Sequence, residues 1–211
     1  MDVDDGFRAL WPTLLLERRL PDTEHADAAL AALLLEMDGA RDSLTTDYRA
    51  SNLFDVAHPA IAWLRQCVRR SVLDYLARQG IGRRVDWRAH GWANVNRRGD
   101  YHNLHNHPHS YLSGTYYVAV PEQPRGGGGR DDLDPGAISF FDPRGHANMG
   151  AIAGDGQVDP EYRVLPEAGL MLLWPAFLMH AVHPNFADAP RLSISFNVLV
   201  RRGPEDTPGQ P

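Results

Sequence analysis

The chain has 211 residues, 43% hydrophobic and 23% charged, which suits one globular domain with a substantial core. A formal net charge of −6 gives no electrostatic basis for binding nucleic acid or an anionic membrane surface. The single Cys67 excludes an internal disulfide and a Cys-rich zinc site, and it fits a reducing cytoplasm, the expected location. The opening MDVDDGFRAL is acidic where a signal peptide would be basic, and no apolar run has membrane-spanning length. A lean towards Ala, Arg, Gly and Pro over Lys points to a GC-rich bacterial genome.

The first third reads as mainly helical. Phe7 to Leu20 holds a short apolar run suited to an opening strand. A helix is predicted over 22–38, with Asp22 or Thr23 as its cap and Gly39 as its stop. Residues 41–55 read as loop. A second helix is predicted over 58–79, with Pro59 in the first turn and Gly80 just past the end. Its Ile61, Leu64, Val68, Val72, Tyr75 and Leu76 recur at three and four and form one apolar stripe. Cys67 lies beside that stripe and reads as a small buried side chain.

From Arg84 the pattern changes to strand. Val85, Trp87, Trp92 and Val95 fall in short runs broken by Gly91 and Gly99. Further strands are predicted at Tyr111 to Val120, Ala137 to Phe141, Tyr162 to Leu165, Leu170 to Trp174 and Leu192 to Val200. Six or more strands with no helix between them imply an antiparallel sandwich or barrel, with the two helices packed outside it. Glu122 to Pro135, with GGGG at 126–129, and His146 to Pro160 read as long surface loops, and 202–211 as a tail. The expected organisation is one domain over 1–211, a helical part (1–83) on a β core (84–201).

Four of the ten histidines fall within eight residues, at His102, His105, His107 and His109. Alternate side chains of a strand share a face, so His105, His107 and His109 are candidates to converge on one metal. Neutral imidazole suits iron, zinc, nickel or copper and needs a further ligand from elsewhere. A histidine-rich surface loop without a role explains the cluster alone equally well. A second stretch, Trp174 to Asn197, adds His180, His183, Arg191 and Ser193. In RLSISFNVLV, Arg191, Ser193, Ser195 and Asn197 take one face and Leu192, Ile194, Phe196 and Val198 the other. An arginine on the inner face of such a strand requires an anion, because a buried unpaired charge is costly. A dicarboxylate cosubstrate gripped by two parallel hydrogen bonds meets that need, and so does a protein salt bridge.

HNHPHSYLSGTYYV, ISFFDPR, WPAFLMHAVHPN and RLSISFN, in that order between Trp92 and Val200, resemble the small bacterial and phage branch of the 2-oxoglutarate/Fe(II)-dependent oxygenases, with a His-X-His-Pro motif. The resemblance implies a double-stranded β-helix (a jelly roll, cupin-like, mainly β with flanking helices) and Fe(II), 2-oxoglutarate and O2 as cofactors. It assigns His105 and His180 as metal ligands, and Arg191 with Ser193, eleven and thirteen residues after His180, as the 2-oxoglutarate clamp. Tyr117 or Tyr116 is placed to reach the same cosubstrate. His107 stands where the superfamily carries a carboxylate. It is either a third metal ligand or a neighbour behind two histidines and water. Trp92, Asn94, Asn96, His102, His109, His183 and Asn197 are expected around substrate or behind the ligands. Asp100 and Asp142 are the reserve carboxylates, each more at home in a turn.

The activity so implied is oxidation, usually hydroxylation, of a C–H bond in a small amino-acid-like or natural-product metabolite, with release of succinate and CO2. A small-molecule substrate is the only partner expected, and the oligomeric state is left open, a homodimer included. The rivals are a cupin-like metal-dependent isomerase or lyase without 2-oxoglutarate, and a non-catalytic jelly-roll binding module.

Overall fold

A computed structural model describes residues 11–39, 51–81, 85–124, 134–144 and 159–201. The Gly126–Gly129 run, residues 146–158 of the second predicted loop and the predicted tail lie outside these. Nine strands and two α-helices occur among the described residues. Five strands form one antiparallel sheet in the order β1 (Leu16–Arg19), β7 (Leu170–Pro175), β4 (Leu112–Ala119), β9 (Arg191–Arg201), β2 (Asp86–Asn96). Four form the second, β3 (His102–His105), β8 (His180–Val182), β5 (Ile138–Phe141), β6 (Glu161–Val164). This is the expected jelly-roll architecture, and the opening strand joins it as the edge β1, paired with β7.

Both helices form within a residue of their predicted ends, the first on its cap and glycine stop and the second on its apolar stripe. α1 spans Thr23–Gly39 and buries Leu30 and Leu34. α2 spans Pro59–Arg78. Its cap is His58, whose side chain accepts the Ala60 N–H, with Pro59 in the first turn where a missing donor costs nothing. Gly80 beyond its end has φ +76°, a conformation that favours glycine. The α2 stripe of Ile61, Leu64, Val68 and Val72 shares one core with Leu112, Tyr116 and Val118 of β4 and Ile194, Phe196 and Val198 of β9. The helices therefore cover the outer face of the five-stranded sheet. The inner face carries the opposite parity of each strand: Tyr117, Leu172 and Trp174 belong to a separate apolar cluster with Ile138 and Phe140 of the second sheet.

Two glycines are set by close approach rather than by turns. Gly91 does not break its strand, as the sequence implies; β2 runs through it, because a Cβ there would lie 2.9 Å from the Phe54 ring. Gly114, in the middle of β4, leaves room for the Phe196 ring at 2.5 Å and the Leu172 carbonyl at 2.7 Å from where its Cβ would stand. Gly114→Ala is therefore expected to cost about 1–3 kcal/mol, as overpacking in a filled core does. Chemical denaturation with an unchanged midpoint would contradict this packing.

Candidate metal and cosubstrate site

The strand that carries the first histidines is shorter than alternation requires. β3 ends at His105, and its pairing with β8 shifts register between His102↔Val182 and His105↔His180. That shift lets His102 and His105, at odd spacing, both line one cavity. His107 lies past the strand, where its N–H is held by the Ala176 carbonyl at 3.0 Å. It reaches the site by a turn, not by the strand parity expected. His180 opens β8 just after the Pro175–Leu178 turn, and its ring lies 4.2 Å from that of His105 and 5.2 Å from that of His107.

The ligand nitrogens of His105, His107 and His180 all lie within 4.8 Å of one another. Two of the tautomers are fixed. His105 Nδ1 meets the Asn103 carbonyl at 2.6 Å and His180 Nδ1 meets the Leu178 carbonyl at 3.0 Å. A carbonyl only accepts, so both Nδ1 atoms carry hydrogen and Nε2 is the nitrogen each ring has left for a metal. His107 Nε2 stands 3.3 Å from His180 Nε2. Burial, and next the neighbouring His105, pushes His107 down to about 4 and His180 to about 3. Burial, with Arg191 and His105, pushes His102 down to about 4. Neutral imidazoles are what a divalent cation requires, and the donor set fits one.

These shifts carry a sign. The folded values lie below the ordinary value of 6.5, so the unfolded chain binds more protons between them. The metal-free protein should then lose stability as pH falls from about 6.5 towards 4, by ~1.4 kcal/mol per pH unit for each imidazole that stays neutral. Urea midpoints of the metal-free protein, equal at the two ends of that window, would show that the imidazoles are not so held.

The cavity around these histidines has a volume of about 610 Å3. Its floor is the inner parity of the large sheet: His90, Trp92 and Asn94 of β2, Thr115 and Tyr117 of β4, and Arg191, Ser193, Ser195 and Asn197 of β9. Arg191 is 1% exposed. It donates to the Gly136 carbonyl at 3.0 Å and to Asn96 Oδ1 at 3.1 Å, and its Nε has no partner. No carboxylate pairs with it among the described residues. Burial lowers its pKa against the opposing pull of Tyr117 and Asp100. Among the described residues the guanidinium meets only neutral oxygens, and a carboxylate entering the cavity would supply an anion. Burial drives the Tyr117 hydroxyl up to about 12, so it stays a neutral donor at the same wall.

Several expected site residues stand elsewhere. Tyr116 is the alternative to Tyr117 that the fold rules out: it faces the helices, donates its hydroxyl to Asp27 at 2.5 Å and meets the Trp63 ring edge-on at 5.8 Å. His183 turns away from the cavity to Ser139, 2.7 Å away. His109 sits in a turn with φ 68° and does not line the cavity. Asn96 lies under Arg191 and has no place in the lining. Asp100 accepts the Arg97 N–H in a turn, and Asp142 pairs with Arg144. His90, Thr115 and Trp174 also line the cavity, beyond the residues expected there. Strand parity with Trp92 and with Tyr117 marks the first two; nothing marks Trp174, whose indole meets the His180 ring at 4.9 Å with its Nε1 unpartnered. Trp92 backs the other side of the site, 5.9 Å from the His107 ring.

The fold is a two-sheet β barrel whose inner wall gathers three imidazoles and a buried arginine. Residues 90–197, more than half of the chain, match the family described as "Putative 2OG-Fe(II) oxygenase". The chain belongs to the 2-oxoglutarate/Fe(II)-dependent oxygenases, oxidoreductases that use Fe(II), 2-oxoglutarate and O2. No curated protein matches it in sequence. Solved structures share its fold. A Pseudomonas putida prolyl-4-hydroxylase superposes with a TM-score of 0.59 at 18% identity, over 90% of this chain and 88% of that one. The epimerase SnoN, solved with Fe3+, alpha ketoglutarate and nogalamycin RO, gives 0.58 at 17%, over 93% and 86%. HygX from Streptomyces hygroscopicus, solved with nickel and 2-oxoglutarate, gives 0.55 at 15%, over 88% and 82%. Among the described residues no helix is long and apolar enough to cross a membrane.

Proposed function

We propose that this oxygenase hydroxylates an unactivated C–H bond of a small amino-acid-like or natural-product metabolite, with His105, His107 and His180 holding Fe(II), and Arg191 and Ser193 holding 2-oxoglutarate. The observation that carries the reading is a cavity with three convergent imidazoles and a buried arginine that meets no carboxylate among the described residues. Its volume, about 610 Å3, suits a small cosubstrate and a small substrate together. The location we propose is the cytoplasm, with which the single free Cys67 is compatible.

Each residue has a distinct task. His105 and His180, steered by their backbone carbonyl partners, present Nε2. His107 supplies the third nitrogen in place of a carboxylate. Bound there, Fe(II) with 2-oxoglutarate and O2 supplies the oxidising chemistry, which yields succinate and CO2. Arg191, with its Nε unpartnered, would hold the distal carboxylate, Ser193 would give it a hydroxyl, and Tyr117 would close the wall beside them. Trp92 packs against His107, and Trp174 and Phe140 against His180, so apolar rings back the imidazoles. The polar row of Asn94, Thr115, Ser195 and Asn197 faces substrate. Succinate formation by the iron-reconstituted protein is expected to require both Fe(II) and 2-oxoglutarate and to rise with a true substrate. Turnover of a metabolite at full rate without 2-oxoglutarate would instead establish the isomerase or lyase alternative.

A further inference from the structure

The clamp strand has a companion. β2 and β9 are antiparallel neighbours in continuous register, with Asn94 opposite Ser193 and Asn96 opposite Arg191. Both asparagines are buried, at 1% and 0% exposure. Each places its amide on the clamp residue across from it. Asn96 Oδ1 accepts from Arg191 at 3.1 Å, while Asn94 Nδ2 lies 3.3 Å from Ser193 Oγ and 2.8 Å from Ser195 Oγ.

The chemistry of the partners fixes which way the first amide faces. A guanidinium has no acceptor, so the Asn96 oxygen must face Arg191 and its NH2 must face the other way. There it meets His102 Nε2 at 3.2 Å. An NH2 group cannot accept, so His102 Nε2 must carry a lone pair and its hydrogen must sit on Nδ1. The Asn96 backbone is held in turn, its carbonyl accepting from Asn185 Nδ2 at 2.9 Å. Arg191 is thus fixed between the Gly136 carbonyl and the Asn96 amide, with Nε left for a ligand. Asn94 acts on the hydroxyl. By donating to Ser193 Oγ it occupies a lone pair there and leaves the Ser193 hydrogen to point elsewhere.

We propose that Asn94 and Asn96 are positioning residues that set the Arg191–Ser193 pair as a carboxylate clamp, Asn96 by orienting the guanidinium without neutralising it and Asn94 by freeing the Ser193 hydroxyl to donate. The proposal rests on the reading of Arg191 and Ser193 as the 2-oxoglutarate anchor. Its distinctive feature is that both orienting groups are amides. A carboxylate of the same shape would hold Arg191 more firmly, yet it would satisfy the charge that 2-oxoglutarate is meant to meet.

The test is calorimetric titration of 2-oxoglutarate into anaerobic Fe(II)-loaded protein, for wild type, Asn96→Ala, Asn96→Asp and Asn94→Asp. Asn96→Ala should weaken binding roughly tenfold, the effect of one lost hydrogen bond to a charged group. The isosteric Asn96→Asp should weaken it by about a hundredfold or more, because the guanidinium is already paired. Asn94→Asp takes the Ser193 hydrogen for itself and should also weaken binding roughly tenfold. A residue serving only to pack would give the reverse order, with the truncation worse than the isostere. Asn96→Asp binding as well as Asn96→Ala, or better, therefore overturns the positioning role, and thermal melts guard against misfolding. A wild-type protein that binds no 2-oxoglutarate overturns the anchor reading instead. A readout free of ligand separates the two: 15N spectra of the histidines should show His102 protonated on Nδ1 in wild type, and a His102 protonated on Nε2 would overturn the Asn96 bridge.

Discussion

Arg191→Ala is expected to weaken 2-oxoglutarate binding by about a hundredfold while Fe(II) affinity changes little. Arg191 is buried, its two hydrogen-bond partners are a backbone carbonyl and a side-chain amide, and its Nε donates to nothing. Losing a hydrogen bond to a charged group is worth roughly 1.5–3 kcal/mol, about ten- to a hundredfold in binding, and Arg191 offers a carboxylate more than one. Arg191→Lys keeps the charge but loses the planar fork, and it cannot satisfy Gly136, Asn96 and a ligand together. It should therefore fall much closer to alanine than to wild type. The measurement is an anaerobic titration of the Fe(II) protein followed by its metal-to-ligand charge-transfer band. An unchanged titration in Arg191→Ala would falsify the anchor and remove the main support for 2-oxoglutarate at this wall.

Removing the metal ligands should have the other large effect. His105→Ala and His180→Ala each leave two imidazoles where three converge, and each should lower Fe(II) affinity by more than the ten- to hundredfold that follows loss of an outer partner. His107 is the informative case. Its Nε2 is 3.3 Å from that of His180, close enough for both to meet one ion. As a ligand, it makes His107→Ala as damaging as the other two, and His107→Asp retains iron by restoring a carboxylate. Behind the ligands, it makes His107→Ala nearly silent. Iron content after dialysis against a weak chelator, read for all four variants, decides between them, and near-wild-type occupancy in His107→Ala would sink the three-histidine site.

How much of the fold and site is legible in the sequence depends on which faces of a strand are alike. β9 alternates polar and apolar without exception from Arg191 to Val198, so alternation alone assigns its inner and outer faces. β4 cannot be read so. Both of its faces are buried, one under helices and one between sheets, so Tyr116 and Tyr117 look equally suited to the cavity. The two short strands β3 and β8, of four and three residues, carry no periodic signal, and the register shift that brings His102, His105 and His180 together is a property of their pairing. Gly91 misleads for a related reason: in the sequence a glycine looks like a break, and only the Phe54 ring against it explains an unbroken strand. Asn96 is expected near substrate, because no sequence pattern says that an amide will spend both ends on an arginine and a histidine.

The two indoles that flank the imidazoles have a consequence for how the protein can be observed. Of the five tryptophans, Trp92 and Trp174 stand 5.9 Å and 4.9 Å from rings assigned to the metal. An open-shell ion held by those imidazoles would be a nearby quencher of both excited rings, whereas closed-shell Zn(II) offers no low-lying d–d states to accept the energy. Titrating Fe(II) anaerobically into the metal-free protein should dim its intrinsic emission in proportion to loading, and Zn(II) should compete without dimming it. The chain thus carries its own optical gauge of which metal sits in the barrel.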